Sequence, residues 1–307
     1  MSLVDTVRAT TWLHFDQIDT AVGAKVWFAS ETEQVTGSFK YRAATSVVQN
    51  VEAEGFIAAS SGNFGQALAC ACRLRNIPCI IVMPTTSAQV KIDAVRSHDA
   101  EIIFVDTTVQ TRADKVREVA SLHPTYHIAS PYDCEWVIRG NSSLGHEIHK
   151  HISQPDLVLV PIGGGGLISG IAEAFEQSEN PVRLWGVEPA MADDAARSLE
   201  AGKRLFNEGE PQTLADGART RSVGAQNWIR IQRRVSNILR VSEQTICQAM
   251  RLLHREGIMV EPTGALTLAS LLEHSVLTSE VVIVISGKNV DSTLYDSIIQ
   301  RDSLRTP

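Results

Sequence analysis

Lys40 lies in the stretch TGSFKYRAA, residues 36–44, at the point where a helical pattern begins. A lysine in such a place is most often a solvated surface residue. Its amine becomes a nucleophile only after losing its proton, which burial and nearby positive charge both favour. The role of Lys40 therefore depends on what the rest of the chain brings close to it.

Four successive glycines, Gly163 to Gly166, separate the apolar run DLVLVPI from the helical pattern LISGIAEAFEQ. Because glycine has no Cβ, this backbone can turn sharply and point several N–H groups at one place. The helix that follows adds its positive end, so the pattern indicates a phosphate-binding loop. Neither a dinucleotide fingerprint nor a P-loop fits the spacing. A tight turn without a ligand is the alternative, although one or two glycines would be enough for it.

Two further strand ends carry polar residues. SSGNFGQA, beginning at Ser60, combines Ser60, Ser61 and Asn63 with two glycines. A helix cap needs only one such side chain, so this loop is predicted to bind a ligand as well as to cap a helix. Ser286 follows the apolar run VVIVI. It is either a ligand contact or an ordinary strand-end turn.

The stretch GVEPAMADDAARS contains three carboxylates, Glu188, Asp193 and Asp194. Oxygen ligands at this density suit Mg²⁺ or Ca²⁺. Carboxylates also favour helix N-termini without any metal, and the sequence leaves the two interpretations open. HEIHKH, residues 146–151, lacks the histidine spacing of a zincin helix, and the chain has no G-x-S-x-G elbow of a hydrolase.

Short apolar runs alternate with longer helical patterns along the chain. Strands that are apolar throughout are typical of parallel sheets covered by helices, so the pattern predicts an α/β fold with doubly wound, mainly parallel sheets. Residues 49–135 are predicted to form a small domain, and residues 1–48 with 136–307 a larger one. In such sheets ligands bind beyond the carboxyl ends of the strands, where the polar stretches fall.

Composition excludes several classes of protein. The 307 residues are 44% hydrophobic and 21% charged, and 28 Lys and Arg against 35 Asp and Glu give a net charge of −7. An acidic chain without basic runs argues against nucleic acid or an anionic membrane as a partner. We find no membrane span and no secretory signal. Five cysteines without a C-x-x-C motif predict reduced thiols in a cytoplasmic protein.

These features together resemble one family. The chain is similar to the serine/threonine dehydratases and serine racemases, which are pyridoxal phosphate enzymes of the tryptophan-synthase-β-like class, fold type II. Such a fold holds pyridoxal 5'-phosphate in the cleft between two domains. The matching stretches span residues 36–289 and read, in chain order, TGSFKYRAA, SSGNFGQALA, VPIGGGGLISGIA, GVEP…ADD, LADG, VEPTGA and SGKN.

The resemblance implies a role for each matching residue. Lys40 would form the Schiff base with the cofactor, with Ser61 on the opposite face as a second catalytic group. Phe39 would lie against the pyridine ring, Asn63 would hydrogen-bond the 3-oxygen and Ser286 would face the ring nitrogen. The cofactor phosphate would be bound by the backbone of Gly163, Gly164, Gly165, Gly166 and Leu167. The substrate would be bound by Ser60, Ser61, Gly62, Asn63, Phe64 and Arg139. The divalent metal would be bound by Glu188, the carbonyl of Ala192 and Asp194.

The activity that the resemblance implies is β-elimination. We expect an ammonia-lyase that converts a small β-hydroxy amino acid, such as L-threonine or L-serine, to a 2-oxo acid and ammonia, in a homodimer. One alternative is an amino acid racemase, and a second is a 3-hydroxyaspartate dehydratase in which Arg139 pairs with the extra carboxylate. A non-catalytic cofactor-binding protein is a third. RGNSS, residues 139–143, departs from the AGQGT common in relatives, and Phe64 replaces a frequent histidine.

Overall fold

The computed structural model describes residues 2–152, 154–176 and 182–300. Ten strands form within these ranges. They are β1 (Thr11–His14), β2 (Lys25–Ser30), β3 (Gly55–Ala59), β4 (Cys79–Pro84), β5 (Glu101–Val105), β6 (Tyr126–Ile128), β7 (Leu157–Pro161), β8 (Arg183–Pro189), β9 (Asn237–Val241) and β10 (Glu280–Ile285).

Twelve α-helices lie in the same described ranges. They are α1 (Asp16–Val22), α2 (Lys40–Asn50), α3 (Asn63–Leu74), α4 (Gln89–Arg96), α5 (Arg112–Leu122), α6 (Glu135–His151), α7 (Gly166–Glu176), α8 (Asp194–Ala201), α9 (Ala225–Arg234), α10 (Glu243–Arg255), α11 (Pro262–Glu273) and α12 (Ser292–Gln300). Two short 3-10 helices, Leu3–Thr6 and Asp216–Ala218, complete them. None of the described helices is both long and apolar enough to cross a bilayer.

The strands form two sheets. One has six strands in the order β1-β2-β10-β7-β8-β9, and the other has four in the order β5-β4-β3-β6. Every neighbouring pair is parallel except β1 with β2. All five residues of β7 are buried, as expected for a strand with helices on both faces. The predicted α/β fold with mainly parallel sheets is confirmed.

The topology brings the polar stretches together. β7 and β10 are parallel neighbours. The glycine loop after β7 and Ser286 after β10 therefore lie at the same end of the six-stranded sheet, beyond the carboxyl ends of its strands. The loop beginning at Ser60 lies at the equivalent end of the four-stranded sheet, directly after the carboxyl end of β3. Asn289, after β10, donates a hydrogen bond to Asn63, after β3, so the carboxyl ends of the two sheets face a common cleft.

The small sheet does not build its core from its own segment alone. Its four strands all lie within the predicted small domain, residues 49–135. However, the hydrophobic core on one face of this sheet also contains Leu3, Ala43, Val47 and Val137. Helix α2, which begins at Lys40, therefore contributes side chains to the hydrophobic core on one face of the small sheet. The exact domain boundaries stay a prediction.

A buried arginine joins α2 to its surroundings. Arg42 is only 1% exposed, and its Nε donates a hydrogen bond to Glu31 Oε2 at 2.7 Å. Its terminal nitrogens donate to Glu147 Oε1 at 2.7 Å, to Ser143 Oγ at 2.9 Å and to Thr10 Oγ1 at 3.0 Å. Because α6, the segment after β2 and Thr10 before β1 all contribute acceptors, this one guanidinium fixes the first turn of α2 relative to all three.

We expect Arg42→Ala to lower the free energy of unfolding by about 3–5 kcal/mol, because the change leaves the buried Glu31 without its counter-charge. Urea-induced unfolding of the cofactor-free protein measures the effect. Arg139→Ala is the matched control: this side chain is 58% exposed, its Nε lies 3.9 Å from Glu135 Oε1, and its loss should cost under ~1 kcal/mol. Equal, small losses in both variants would contradict the prediction.

Candidate active site

Lys40 lies half-buried at the first position of α2, between two aromatic rings. Its Nζ donates a hydrogen bond to the carbonyl of Pro131 at 2.6 Å. The same nitrogen lies 5.0 Å from the centre of the Phe39 ring and 5.9 Å from that of Phe64. Desolvation lowers the pKa of Lys40 to about 8, although the nearby charge of Glu261 works in the opposite direction. About a fifth of this amine is therefore neutral at about pH 7.4, far more than for an ordinary lysine.

The loop after β3 contributes both backbone and side-chain groups. The Ser60 hydroxyl accepts hydrogen bonds from the N–H groups of Gly62 at 3.3 Å and Gly65 at 3.0 Å, so it caps α3. Ser61 and Gly62 are half-buried. Asn63, the first residue of α3, donates from Nδ2 to both carboxyl oxygens of Glu261, at 2.9 and 3.0 Å.

The glycine loop is closely packed on one side. A Cβ added to Gly163 would lie 2.4 Å from the carbonyl oxygen of Gly217, and one on Gly164 would lie 2.1 Å from the ring of Tyr132. Gly165 has φ +85°, a conformation that favours glycine. These contacts explain why the loop needs its glycines. They also hold the backbone in place at the start of α7.

Gly166 and Leu167 begin α7, and both are buried. The first N–H groups of a helix have no partner within it, so this turn offers donors to an anion at the end of β7. A Cβ on Gly166 would lie 2.8 Å from the carbonyl of Tyr132. The phosphate-binding role of the loop stays a prediction, which this helix start supports.

Ser286 has a buried hydroxyl without a hydrogen-bond partner. The residue is fully buried, and no acceptor or donor within the described residues reaches its Oγ. Its carbonyl accepts the N–H of Phe39 at 3.0 Å, which links β10 to the residue before Lys40. An unsatisfied buried hydroxyl costs free energy, and a ring nitrogen placed against it would remove that cost.

The chain from residue 3 to residue 287 matches the family model described as pyridoxal-phosphate dependent enzyme. The chain belongs to this family. It is 34% identical to an L-threo-3-hydroxyaspartate ammonia-lyase of Saccharomyces cerevisiae, over 95% of this chain and 91% of the relative. It is 31% identical to a serine racemase of Dictyostelium discoideum, over 95% and 93% of the two chains. The solved structure of a threonine deaminase from T.th. superposes with a TM-score of 0.90 at 36% identity, covering 94% of this chain and 96% of that one.

Pyridoxal phosphate, the cofactor of the family, fits the residues present. Lys40 offers an amine that loses its proton more readily than an ordinary lysine, and the start of α7 offers N–H donors for the phosphate. The unpartnered Ser286 hydroxyl offers a partner for the ring nitrogen. The Phe39 ring lies close to the Lys40 amine. Asn63 lies at the cleft, where its amide contacts Glu261. The individual roles stay predictions, and this geometry supports them.

Arg139 is the exception among the predicted substrate residues. Its side chain is exposed on α6, where it stacks on Trp136 at 5.1 Å and lies 3.9 Å from Glu135. On the same helix, Gly140 faces α2: a Cβ added there would lie 2.4 Å from the carbonyl of Arg42. The structure therefore does not bring Arg139 together with the residues around Lys40. Ser143, also in the stretch RGNSS, accepts a hydrogen bond from Arg42, so this part of α6 packs against α2.

Phe64, in contrast, lies beside Lys40, and its predicted contact with the substrate stays a prediction. It is 2% exposed, belongs to the core under the small sheet and turns its ring toward the Lys40 amine. An apolar ring at this point desolvates the amine, whereas the histidine frequent in relatives would offer a hydrogen bond.

The predicted metal residues form a buried carboxylate pair. Glu188 and Asp194 are each 1% exposed. The oxygens of Glu188 accept the N–H groups of Ala195 at 3.2 Å and Ala196 at 2.9 Å, at the start of α8. Burial and the charge of Asp194 raise the pKa of Glu188, and burial raises the pKa of Asp194 to about 6.

Other residues of the acidic stretch have different surroundings. Asp194 also accepts hydrogen bonds from Asn207 Nδ2 and the N–H of Val223, both at 2.8 Å. Asp193 pairs with Arg197 and Arg240 instead, at 2.7 and 2.9 Å. The sequence interpretation of helix capping is thus correct for Glu188, because its carboxylate does cap α8. A metal at Glu188, Asp194 and the carbonyl of the buried Ala192 stays a prediction.

We expect covalent attachment of the cofactor to Lys40 to speed up as the pH rises to about 8 and then to level off, because the neutral amine is the reacting form. Stopped-flow absorbance of cofactor-free protein mixed with pyridoxal phosphate measures this rate. An ordinary lysine would keep gaining rate to beyond about pH 10, and that result would contradict the lowered pKa. Lys40→Ala, as the control, should show no covalent attachment at any pH.

Proposed function

We propose that this chain is an ammonia-lyase that acts on a small β-hydroxy amino acid and releases a 2-oxo acid and ammonia. The observation that carries the proposal is the Lys40 amine, which lies desolvated between Phe39 and Phe64 with a pKa of about 8. A neutral amine in this position can both attach the cofactor and remove a proton from the substrate.

The protein residues would divide the work as follows. The bound cofactor supplies the electron sink that makes the Cα proton acidic and lets the β-hydroxyl leave. Lys40 takes the Cα proton. The N–H groups at the start of α3, including the backbone N–H of Asn63, would bind the substrate carboxylate together with Ser61, because a helix N-terminus favours an anion. Phe64 keeps water from the lysine amine.

Three substrates have support of different kinds. The yeast relative is named as an L-threo-3-hydroxyaspartate ammonia-lyase, and this name supports L-threo-3-hydroxyaspartate as the first substrate to test. The threonine deaminase structure supports L-threonine. L-Serine is the smallest member of the same class. Because Arg139 does not face the lysine, the extra carboxylate of hydroxyaspartate needs another partner than the sequence suggested.

A substrate panel tests the proposal directly. We expect the holoenzyme to release a 2-oxo acid and one equivalent of ammonia from at least one of L-threo-3-hydroxyaspartate, L-threonine and L-serine, with hydroxyaspartate giving the highest kcat/KM. Lys40→Ala should release neither product, since it lacks both the attachment point and the base. If no member of the panel yields a 2-oxo acid while the cofactor is bound, the lyase proposal is wrong.

Amino acid racemisation is the second candidate. The serine racemase of Dictyostelium discoideum is 31% identical to this chain, and Ser61 lies half-buried in the loop that begins α3. A hydroxyl on the face opposite Lys40 could return a proton to Cα from that side. Chiral analysis of L-serine incubations distinguishes the two activities. Accumulation of D-serine that disappears in Ser61→Ala would favour the racemase.

We also propose that Glu188, the Ala192 carbonyl and Asp194 bind Mg²⁺ or Ca²⁺. Two adjoining buried carboxylates repel each other, and a divalent cation would relieve that repulsion. Millimolar Ca²⁺ should then raise the Tm of the protein at about pH 7.5, and EDTA should reverse the gain. The gain should shrink as the pH falls below about 6, where Asp194 takes up a proton. An unchanged Tm in Ca²⁺ would contradict the metal site. The homodimer and the cytoplasmic location stay predictions.

A further inference from the structure

Glu261 is a buried acid in contact with the cofactor site. It stands immediately before α11 and is 2% exposed. The Nδ2 atom of Asn63 lies 2.9 Å from one of its oxygens and 3.0 Å from the other. Two carboxyl oxygens at nearly equal distances lie within a narrow angle, so one amide hydrogen serves both. The second hydrogen of Asn63 is left for another acceptor.

Asn289 fixes the same amide from its other end. Its Nδ2 donates to Asn63 Oδ1 at 2.8 Å and to the carbonyl of Thr36 at 2.7 Å. Because a donor holds the oxygen of Asn63 and an acceptor holds its nitrogen, the amide cannot exchange the two ends. The pair formed by Glu261 and Asn289 therefore sets which atom of Asn63 faces the cleft.

The surroundings of Glu261 leave its charge poorly compensated. Burial and the charge of Asp216 raise its pKa to about 8, against the attraction of Lys91 and Lys40. Lys91 forms a close ion pair with Asp216 rather than with Glu261. A Cβ added to Gly287 would lie 3.0 Å from Glu261 Oε1, so backbone packs directly against the carboxyl group.

We propose that Glu261 is a positioning residue for the cofactor: as a neutral acceptor it acts with Asn289 to turn one N–H of Asn63 toward the cofactor 3-oxygen. This rests on the same cofactor and the same role of Asn63 as the proposed function, but it holds for any amino acid substrate. An ionised Glu261 would place negative charge beside an oxygen that itself ionises, and cofactor binding would weaken.

Cofactor affinity tests the proposal without any turnover. In a Lys40→Ala background the cofactor binds non-covalently, and the lysine no longer titrates. We expect Kd for pyridoxal phosphate, from fluorescence titration, to rise about tenfold more between about pH 7 and pH 9 with Glu261 than with Glu261→Gln. Comparing the two proteins at each pH cancels the ionisations of the cofactor itself. Glu261→Ala should bind about tenfold more weakly at every pH, because Asn63 then loses its acceptor.

Thermal stability of the cofactor-free protein gives a second readout. An acid whose pKa is raised on folding costs stability as the pH rises from its unfolded value toward its folded value. Against the same Lys40→Ala background, Glu261→Gln should therefore gain Tm progressively from the unfolded pKa of a glutamate up to the folded pKa of Glu261, and the gain should then stay constant. That folded pKa is about 8 with Lys40 present and rises further when the charge of Lys40 is removed.

Two controls separate the proposal from trivial effects. Glu273→Gln, at the other end of α11, should change neither Kd nor its pH dependence. Asn289→Ala releases the other end of the Asn63 amide and should weaken binding by a factor similar to Glu261→Ala, which tests the idea even if a Glu261 variant misfolds. If the Glu261→Gln and parent curves are parallel and Glu261→Ala binds normally, the proposal is wrong. Natural protein, with Lys40 intact, that binds the cofactor but transforms no amino acid contradicts the proposed function instead.

Discussion

The structure depends on keeping one lysine amine out of water without giving it a counter-ion in contact. The hydrogen-bond partner of Lys40 Nζ is a carbonyl, and its nearest rings are those of Phe39 and Phe64. A carboxylate in direct contact would restore the charge and make the amine unreactive. Glu261 is the acid whose charge reaches the lysine, and its own proton limits that effect. Two buried groups with pKa values of about 8 thus share the cleft.

The fold provides this arrangement by converging parallel strands. Helices cover both faces of the sheets, so the strand ends are the places where polar residues can reach a common cleft. β7, β10 and β3 each end in such residues. Lys40 does not follow a strand but begins helix α2. Arg42 holds the first turn of α2 in position, because its guanidinium forms ion pairs with Glu31 and Glu147.

Much of this could be predicted from the sequence, because glycine runs and apolar strands impose local geometry. The glycine loop, Lys40, Asn63 and Ser286 all stand where their patterns indicated. Long-range pairing could not be predicted in the same way. Glu261 and Asn289 lie 198 and 226 residues from Asn63 in the chain, so no local pattern connects them. The role of Arg139 was implied by the family resemblance, which does not show the face of α6 on which this exposed side chain lies.

The helix that begins at Lys40 contributes Ala43, Ala44 and Val47 to the hydrophobic core that also contains Phe56 and Leu68 of the small-sheet segment. This limits how separable the two halves of the protein are. A chimaera that exchanges residues 49–135 for those of a relative would meet an α2 surface shaped for a different partner. A segment that can be exchanged as a whole must therefore include α2 as well as the small sheet, and α2 begins with Lys40.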